Sequence, residues 1–394
     1  MSTHSFIAPS SADIWVNCPG SPLLSSPYAD TPTQDAAEGE AAHWVVSTVL
    51  TSYLKESTQL IMPSSVIDQK ASNRVVINGD MVEAAEIMID DVLDTCQEFG
   101  LLQSLHIEEH LELPGIHPKC HGTPDAWAWD AENKSLFLWD FKYGHKSIPA
   151  DNWQNKCYVS GILSELGIDG LAAQSTSVTM TIIQPRSYHD DGPIKSVTLM
   201  ASDLRGDFNL LETAAIEAFS SNPNVKTGDH CRYCLARHSC PANDKAAMAS
   251  VDYSMAAVPQ VLSQEGLSFE LHIISHAIKT MEYRYEALVA DAIGRIEHGA
   301  DVPGFGIKNG KGNREFDGKI EDLVAMGDLV GVDMRAKPKA ITPAEFDRRV
   351  KAVNKERETP IDSSTFDGFI KRKSTGLKLV PSEETDVIKA FKRK

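Results

Sequence analysis

Residues 122–144, GTPDAWAWDAENKSLFLWDFKYG, place two short apolar runs on either side of a polar turn, with Asp125, Asp140 and Lys142 set into them. An isolated charge is costly to desolvate, so the three need one another or a ligand. Side chains alternate across a strand: Leu136, Leu138, Asp140 and Lys142 share one face, and Phe137, Trp139 and Phe141 share the other as a core anchor. In the first run Asp125, Trp127 and Trp129 share a face. A turn symmetric about Glu132–Asn133 sets Asp125 directly opposite Asp140, with Cβ atoms ~5 Å apart. One residue more or fewer in the turn breaks that register.

Two opposed carboxylates in an apolar hairpin require a counter-charge. Mg²⁺ or Mn²⁺ supplies one, because hard cations prefer carboxylate oxygens. Lys142 would then stand beside the cation. Two acids, a metal and an ammonium suit phosphodiester hydrolysis, in which the metal acidifies a water and both cations neutralise charge developing on the phosphate. The competing reading is a hairpin whose Asp140–Lys142 face meets solvent, and the hairpin alone leaves both open.

The surrounding chain reads as a mixed α/β domain. A helix starts near Glu38, with Ala41, Val45, Val49 and Tyr53 recurring every four residues. GDMVEAAEIMIDDVLDTCQEF forms a second, striped by Val82, Ala85, Ile89 and Val92. Three strand-like runs follow, LHIEEHLEL, GTPDAWAW and SLFLWDFKY, then the helical DNWQNKCYVSGILSEL and the strand SVTMTIIQP. The order is helix, helix, three strands, helix, strand. A short helix is expected around Ala12–Val16, another over SDLRGDFNLLETAAIEAFSS, and a long one over ELHIISHAIKTMEYRYEALVADAIGRIEHG.

Composition fits a soluble globular protein: of 394 residues, 42% are hydrophobic and 24% charged. No apolar run reaches the ~20 residues of a membrane helix. The start, MSTHSFIAPSSADIW, has neither a basic nor an apolar signal region, so the expected location is the cytoplasm. The net charge of −17 argues against a polyanionic partner, but residues 335–394 hold 16 Lys/Arg against 9 Asp/Glu. That tail is either a basic arm for a phosphate backbone or a solvated end.

Pro124-Asp125 followed by Asp140-Phe141-Lys142 resembles the signature of the PD-(D/E)XK nucleases. Further elements resemble the RecB-like branch of that superfamily, which includes the CRISPR-associated adaptation exonucleases. EGEAAHWV carries Gly39 and His43 in the G-x-x-x-H pattern, which implies a metal-ligand role for His43. IEEHLEL ahead of GTPD supplies a strand glutamate, Glu108 by preference, with Glu109 on the opposite face left open. QNKCY matches Q-x-x-x-Y, and the i, i+4 pair Gln154 and Tyr158 is implied to position DNA. The resemblance covers about residues 36–185 and implies a restriction-endonuclease-like core of order α-β-β-β-α-β.

Seven cysteines without a secretion signal argue against a disulfide framework and for metal ligation. CRYCLARHSCP holds Cys231, Cys234 and Cys240, one thiolate short of a tetrahedral set. His230 or His238 would complete a zinc site. Cys18, in WVNCPGS, is the alternative. One cysteine before the core and three after resembles the iron–sulfur staple of RecB-like nucleases, which implies a structural [4Fe–4S] cluster, with Zn²⁺ second. Cys96, Cys120 and Cys157 are expected to be buried free thiols.

CPGS, EG…AH, GTPDA, D-x-KYG and HCRYC…C together resemble an uncharacterised family of phage and prophage proteins. That likeness implies DNA end processing in replication and recombination within a bacterial host, beside a single-strand-binding, recombinase or polymerase partner. The expected activity is a Mg²⁺- or Mn²⁺-dependent exonuclease leaving 5′-phosphate and 3′-hydroxyl ends. His43, Asp125 and Asp140 would hold the metal, aided by the Phe141 carbonyl and Glu108, and Lys142 would act on the water. The alternative is a catalytically silent DNA-binding or scaffold protein. The expected segments are an N-terminal piece (1–35), the core (36–200), a cysteine-rich segment (201–250), a long helical segment (251–300) and a C-terminal region with a basic tail (301–394).

Overall fold

A computed structural model describes residues 5–28, 33–54, 60–187, 192–255 and 262–307. The chain divides into two units, Met1–Asn309 and Gly310–Lys394. The second, which holds most of the expected C-terminal region and its basic tail, lies outside the described residues, as do residues 308–309 before it.

Seven strands are described: β1 Leu105–Ile107, β2 Leu111–Glu112, β3 His121–Gly122, β4 Ala126–Asp130, β5 Ser135–Phe141, β6 Ser177–Ile183 and β7 Ile194–Met200. The main sheet runs β1-β4-β5-β6-β7, parallel between β5 and β6 and antiparallel elsewhere; β2 and β3 pair separately. The helices are α1 Ala12–Asn17, α2 Ser21–Ser25, α3 Gln34–Leu54, α4 Gly79–Phe99, α5 Trp153–Glu165, α6 Gly170–Gln174, α7 Arg205–Ala218, α8 Pro241–Met255 and α9 Gln264–Glu297. None is long and apolar enough to cross a membrane among the described residues.

Alternation in β5 sorts the core into two layers. Phe137, Trp139 and Phe141 join the apolar faces of α3 and α4, whereas Leu136 and Leu138, with Trp127 of β4, meet α5, α7 and the N-terminal segment. The stripes read from sequence on α3 and α4 are the buried ones, with only Tyr53 half-open. Local chemistry fixes the helix ends. Asn78 caps α4 by accepting from the Met81 amide (2.9 Å), and Gly100 closes it at φ 69°, where a side chain would be strained. Asn152 caps α5 through the Asn155 amide (3.0 Å).

The hairpin register follows from a carboxylate. Asp130, 4% exposed, accepts from the amides of Glu132 and Asn133 (both 3.0 Å) and from the Asn133 side chain (2.7 Å). These bonds, the Asn133 amide first, hold its carboxyl below the usual range. They fold Ala131–Lys134 into a four-residue turn in which Lys134 takes φ 52°. The pairs Asp130↔Ser135 through Ala126↔Trp139 result. One step further along the same register places Asp125 opposite Asp140.

Two strand expectations need correcting. LHIEEHLEL is not one strand: Glu108 takes φ 49° and the chain leaves the sheet, so β1 ends at Ile107 and β2 belongs to another pair. GTPDAWAW likewise divides into β3 and β4. An edge strand, β7, and the short α6 join the elements read from sequence.

Candidate active site and cysteine cluster

The three acids stand side by side at neighbouring strands: Glu108 just after β1, Asp125 just before β4 and Asp140 in β5. β1 pairs with β4 as Ile107↔Ala126, and the next step sets Glu108 opposite Asp125, whose carbonyl accepts the Glu108 amide at 3.1 Å. Asp125 in turn faces Asp140. Strand alternation left Glu108 and Glu109 open; the bend after β1 decides between them. A Glu108 carboxylate oxygen, a His43 ring nitrogen and an Asp125 oxygen all lie within 4.8 Å of one another. The Glu109 carboxylate instead bonds His106 Nδ1.

His43 comes from α3, across the sheet end. Its Nδ1 is 3.1 Å from Asp125 Oδ1, and its ring packs edge-on against Phe141. The Phe141 amide donates to Asp125 Oδ2 at 2.7 Å, which leaves Oδ1 to face the histidine. Phe141 thus enters the site through its N–H. Burial alone would raise the Asp125 carboxyl and lower the His43 ring. Their mutual attraction and hydrogen bond win, so Asp125 falls below and His43 rises above its ordinary value.

Asp140 belongs to a second group. Lys142 Nζ lies 3.1 Å from Asp140 Oδ1 and 2.9 Å from Oδ2, and donates to Gln154 Oε1 at 2.9 Å. Gln154 Nε2 closes the triangle on Asp140 Oδ1 at 3.2 Å. Asp140 Oδ2 is buried and sits beside the ammonium, yet accepts no well-directed hydrogen bond. Burial raises the Asp140 carboxyl despite Lys142, and Asp140 with Asp125 raises the Lys142 ammonium against its own burial. Side-chain exposure grades from 2% at Asp140 through 13% at Asp125 to 25% at Lys142 and 27% at His43, and Glu108 is exposed, so the site opens at a rim of Lys142, His43 and Glu108.

The donors fit a divalent cation. An imidazole and two carboxylates converge within 4.8 Å, and a third carboxylate next to them keeps an unfilled acceptor oxygen. Tyr158 is placed differently from a strand-contacting residue. It is 4% exposed, and burial followed by the Asp125 and Asp140 charges keeps its phenol protonated. Its phenol shares a side-chain hydrogen bond with Gln154.

Sequence reasoning missed the clamp on residues 144–148, which begin the link between Lys142 and α5. Gln184, 1% exposed, donates to the carbonyls of Gly144 (2.9 Å) and Lys146 (2.6 Å), and accepts from the Ile148 amide (3.1 Å) and Lys195 Nζ (3.1 Å). Lys195 also donates to the Ile148 carbonyl at 2.5 Å. An amide ending the apolar run TII was the available signal. Gln184→Ala orphans several of these groups, and each such loss costs about 1–3 kcal/mol. We expect a destabilisation of roughly 3 kcal/mol in urea unfolding; a midpoint equal to wild type would show the clamp to be idle.

The second constellation lies where the N-terminal segment meets the cysteine-rich segment. Cys18, at the end of α1, and Cys231, Cys234 and Cys240, around two short 3-10 turns (Asp229–Tyr233 and Leu235–His238), are all buried. The Gly20 amide donates to the Asn224 carbonyl at 2.8 Å. A Cβ on Gly20 would stand 2.6 Å from Val225 Cγ2, so CPGS needs its glycine for this close approach. The amides of Lys226 and Gly228 point at the sulfurs of Cys18 and Cys231, both at 3.4 Å. Burial, then the three other cysteines, push the Cys231 thiol up to about 11 against the Gly228 amide. Among the described residues no three cysteine sulfurs lie within 4.8 Å of one another. His230 and His238 each use one ring nitrogen on a backbone carbonyl, those of Lys226 and Leu235. Cys96, Cys120 and Cys157 are buried elsewhere in the core.

The chain belongs to the family described as "Protein of unknown function (DUF2800)", which it matches over residues 4–384. Among solved structures it is similar to one titled "Crystal structure of SSO0001", at 18% sequence identity over 41% of this chain and 74% of that one, with a TM-score of 0.22.

Proposed function

We propose that this protein is a Mg²⁺- or Mn²⁺-dependent deoxyribonuclease with a PD-(D/E)XK-type core, an exonuclease acting on DNA ends and leaving 5′-phosphate and 3′-hydroxyl products. The observation that carries the reading is the convergence of His43, Glu108 and Asp125 beside the Asp140–Lys142–Gln154 triangle, open on one side. His43, Glu108, Asp125 and Asp140 would hold the cation. When bound, it would acidify a water and offset charge on the scissile phosphate. The chain supplies the rest: the Phe141 amide fixes Asp125, Gln154 holds the Lys142 ammonium in place, and the ammonium at the rim meets a phosphate oxygen or orients the attacking water. The test is digestion of end-labelled single- and double-stranded DNA with Mn²⁺ and with a chelator. Metal-independent binding without cleavage would favour a DNA-binding scaffold instead.

The cysteines support a [4Fe–4S] cluster better than zinc. Cys18 and Cys231, whose thiols are held above their ordinary value by burial and then by the neighbouring cysteines, need a cationic centre to become thiolates. One zinc ion with Zn–S bonds of about 2.3 Å needs sulfurs about 3.8 Å apart, a tighter set than the three-within-4.8 Å grouping that these cysteines do not make. The two amides aimed at sulfur suit cluster ligands, whose charge such hydrogen bonds stabilise.

Metal binding should depend on pH. Glu108 keeps a solvent-exposed side chain, yet the desolvation of its place beside the sheet, then Asp125, push its carboxyl up to about 7, with His43 opposing. Without metal, the folded protein keeps a proton between pH 4.5 and about 7 that the unfolded chain has lost, so stability falls as pH rises through that window. A cation competes for the same site, so its apparent affinity weakens by up to about tenfold per pH unit below about 7. His43, also held above its ordinary value, adds in the same sense. Calorimetric Mn²⁺ titrations at about pH 6 and about pH 8 check this, and Glu108→Gln should flatten the dependence. Equal wild-type affinities at both values would remove Glu108 from the ligand set.

A further inference from the structure

We propose that α9 pairs with the α9 of a second copy of this chain as a parallel two-stranded coiled coil. From Leu267 to Leu288, large apolar residues recur at spacings that alternate strictly between four and three. In heptad terms Leu271, Ile278 and Tyr285 stand at a, and Leu267, Ile274, Met281 and Leu288 at d, with Ala292 at the next a. A sustained 3.5-residue repeat drives left-handed supercoiling, because it keeps one seam facing a partner helix. All seven large residues are exposed, from 40% at Met281 to 70% at Tyr285.

The helix is anchored to its own subunit by another face. Thr280 and Ala287, both at position c, are its buried residues, and Lys279 and Arg284 pair with Asp229 and Asp244. The small side chains therefore face the body, near the cysteine-rich segment and α8, and the large ones face outward. This reverses the arrangement of a helix that merely covers its own core.

The occupant follows from the geometry of packing. Knobs fit holes only on a helix with the same repeat, and a second copy brings that repeat on a two-fold axis. The seam offers on the order of 600 Å² per protomer, close to the ~800 Å² that each partner contributes to a standard interface. Exposed Val289, at position e, flanks it and extends the contact. Charge selects the direction. Antiparallel alignment with Ile278 against the partner's Met281 brings Glu270 beside the partner's Asp291. Parallel alignment places Glu270 by the partner's Ser275 and Arg284 by the partner's Val289, with no like charges opposed.

Sedimentation equilibrium of the full chain at micromolar concentration should give twice the 43.1 kDa monomer mass. The double variant Ile274→Glu/Ile278→Glu should sediment as a monomer while keeping the wild-type helical circular dichroism. Ala292→Cys should form an interchain disulfide on oxidation, as a parallel a–a′ contact requires. Wild-type protein that sediments as a monomer overturns the proposal, and so does a charged double variant that stays dimeric. A dimeric Ala292→Cys protein that fails to cross-link overturns the parallel arrangement.

Discussion

Lys142→Ala should lower metal-dependent DNA cleavage by about a thousandfold or more while leaving Mn²⁺ binding measurable. The ammonium lies between Asp140 and Gln154 and is the positive group at the open rim. Removing it takes away the charge that would face a phosphate but none of the carboxylates. The variant will also lose stability, because Asp140, 2% exposed, is left without its counter-charge; breaking one side of a buried pair costs about 3–5 kcal/mol. Protonation of Asp140, whose carboxyl already lies above its ordinary value, will recover part of that loss as pH falls.

Single-turnover cleavage at matched folded fraction separates chemistry from stability. Lys142→Arg keeps the charge but replaces a compact point donor with a planar fork, so it should restore stability more than rate. If Lys142→Ala and Asp140→Asn both cleave at the wild-type rate, the site does not lie in this hairpin.

Much of the candidate site was legible because it sits on regular elements. Alternation in β5 and a turn closed by Asp130 are local, so Asp125 and Asp140 could be set face to face from sequence. Helical spacing likewise put Gln154 with Tyr158 on one face, whereas His43 came from the likeness of Gly39 and His43 to the G-x-x-x-H pattern and not from any period. The glutamate was not decidable, because the alternation rule assumes a continuous strand. A left-handed residue at Glu108 breaks the strand where the choice is made, and nothing in LHIEEHLEL marks that break. β7 was hidden for a different reason. As an edge strand its residues are largely half-exposed, and IKSVTLM mixes polar and apolar side chains without a buried run. The Gln184 clamp depends on contacts between segments about 40 residues apart, which no local period encodes.

Replacing Cys18 with serine should abolish the broad visible absorption of anaerobically purified protein and sharply lower its stability. Serine keeps the shape of the site but removes a thiolate, so a four-thiolate cluster loses a ligand. The linkage joins residues far apart in sequence: Cys18 follows α1, and Cys231 begins the late triplet. Closing a loop of roughly 210 residues constrains the unfolded chain by about 5 kcal/mol in the entropy model that applies to covalent cross-links. Without the staple, the junction relies on the Gly20–Asn224 hydrogen bond, the Gly20 approach to Val225 and the packing of α1 on α7. The N-terminal segment should then open locally and become sensitive to protease before the core unfolds. Because Ile7 and Trp15 pack in the same layer as α5, that opening reaches the helix carrying Gln154. Cleavage should therefore fall together with the staple, although no cysteine touches the acids. Iron and sulfide assays, visible spectra and limited proteolysis on wild type, Cys18→Ser and Cys96→Ser make the comparison. Cys96, buried in α4, serves as the control that should change none of them. A Cys18→Ser protein with the wild-type spectrum and protease pattern would remove Cys18 from the ligand set, and a colourless wild type holding one zinc ion per chain would replace the cluster with the metal.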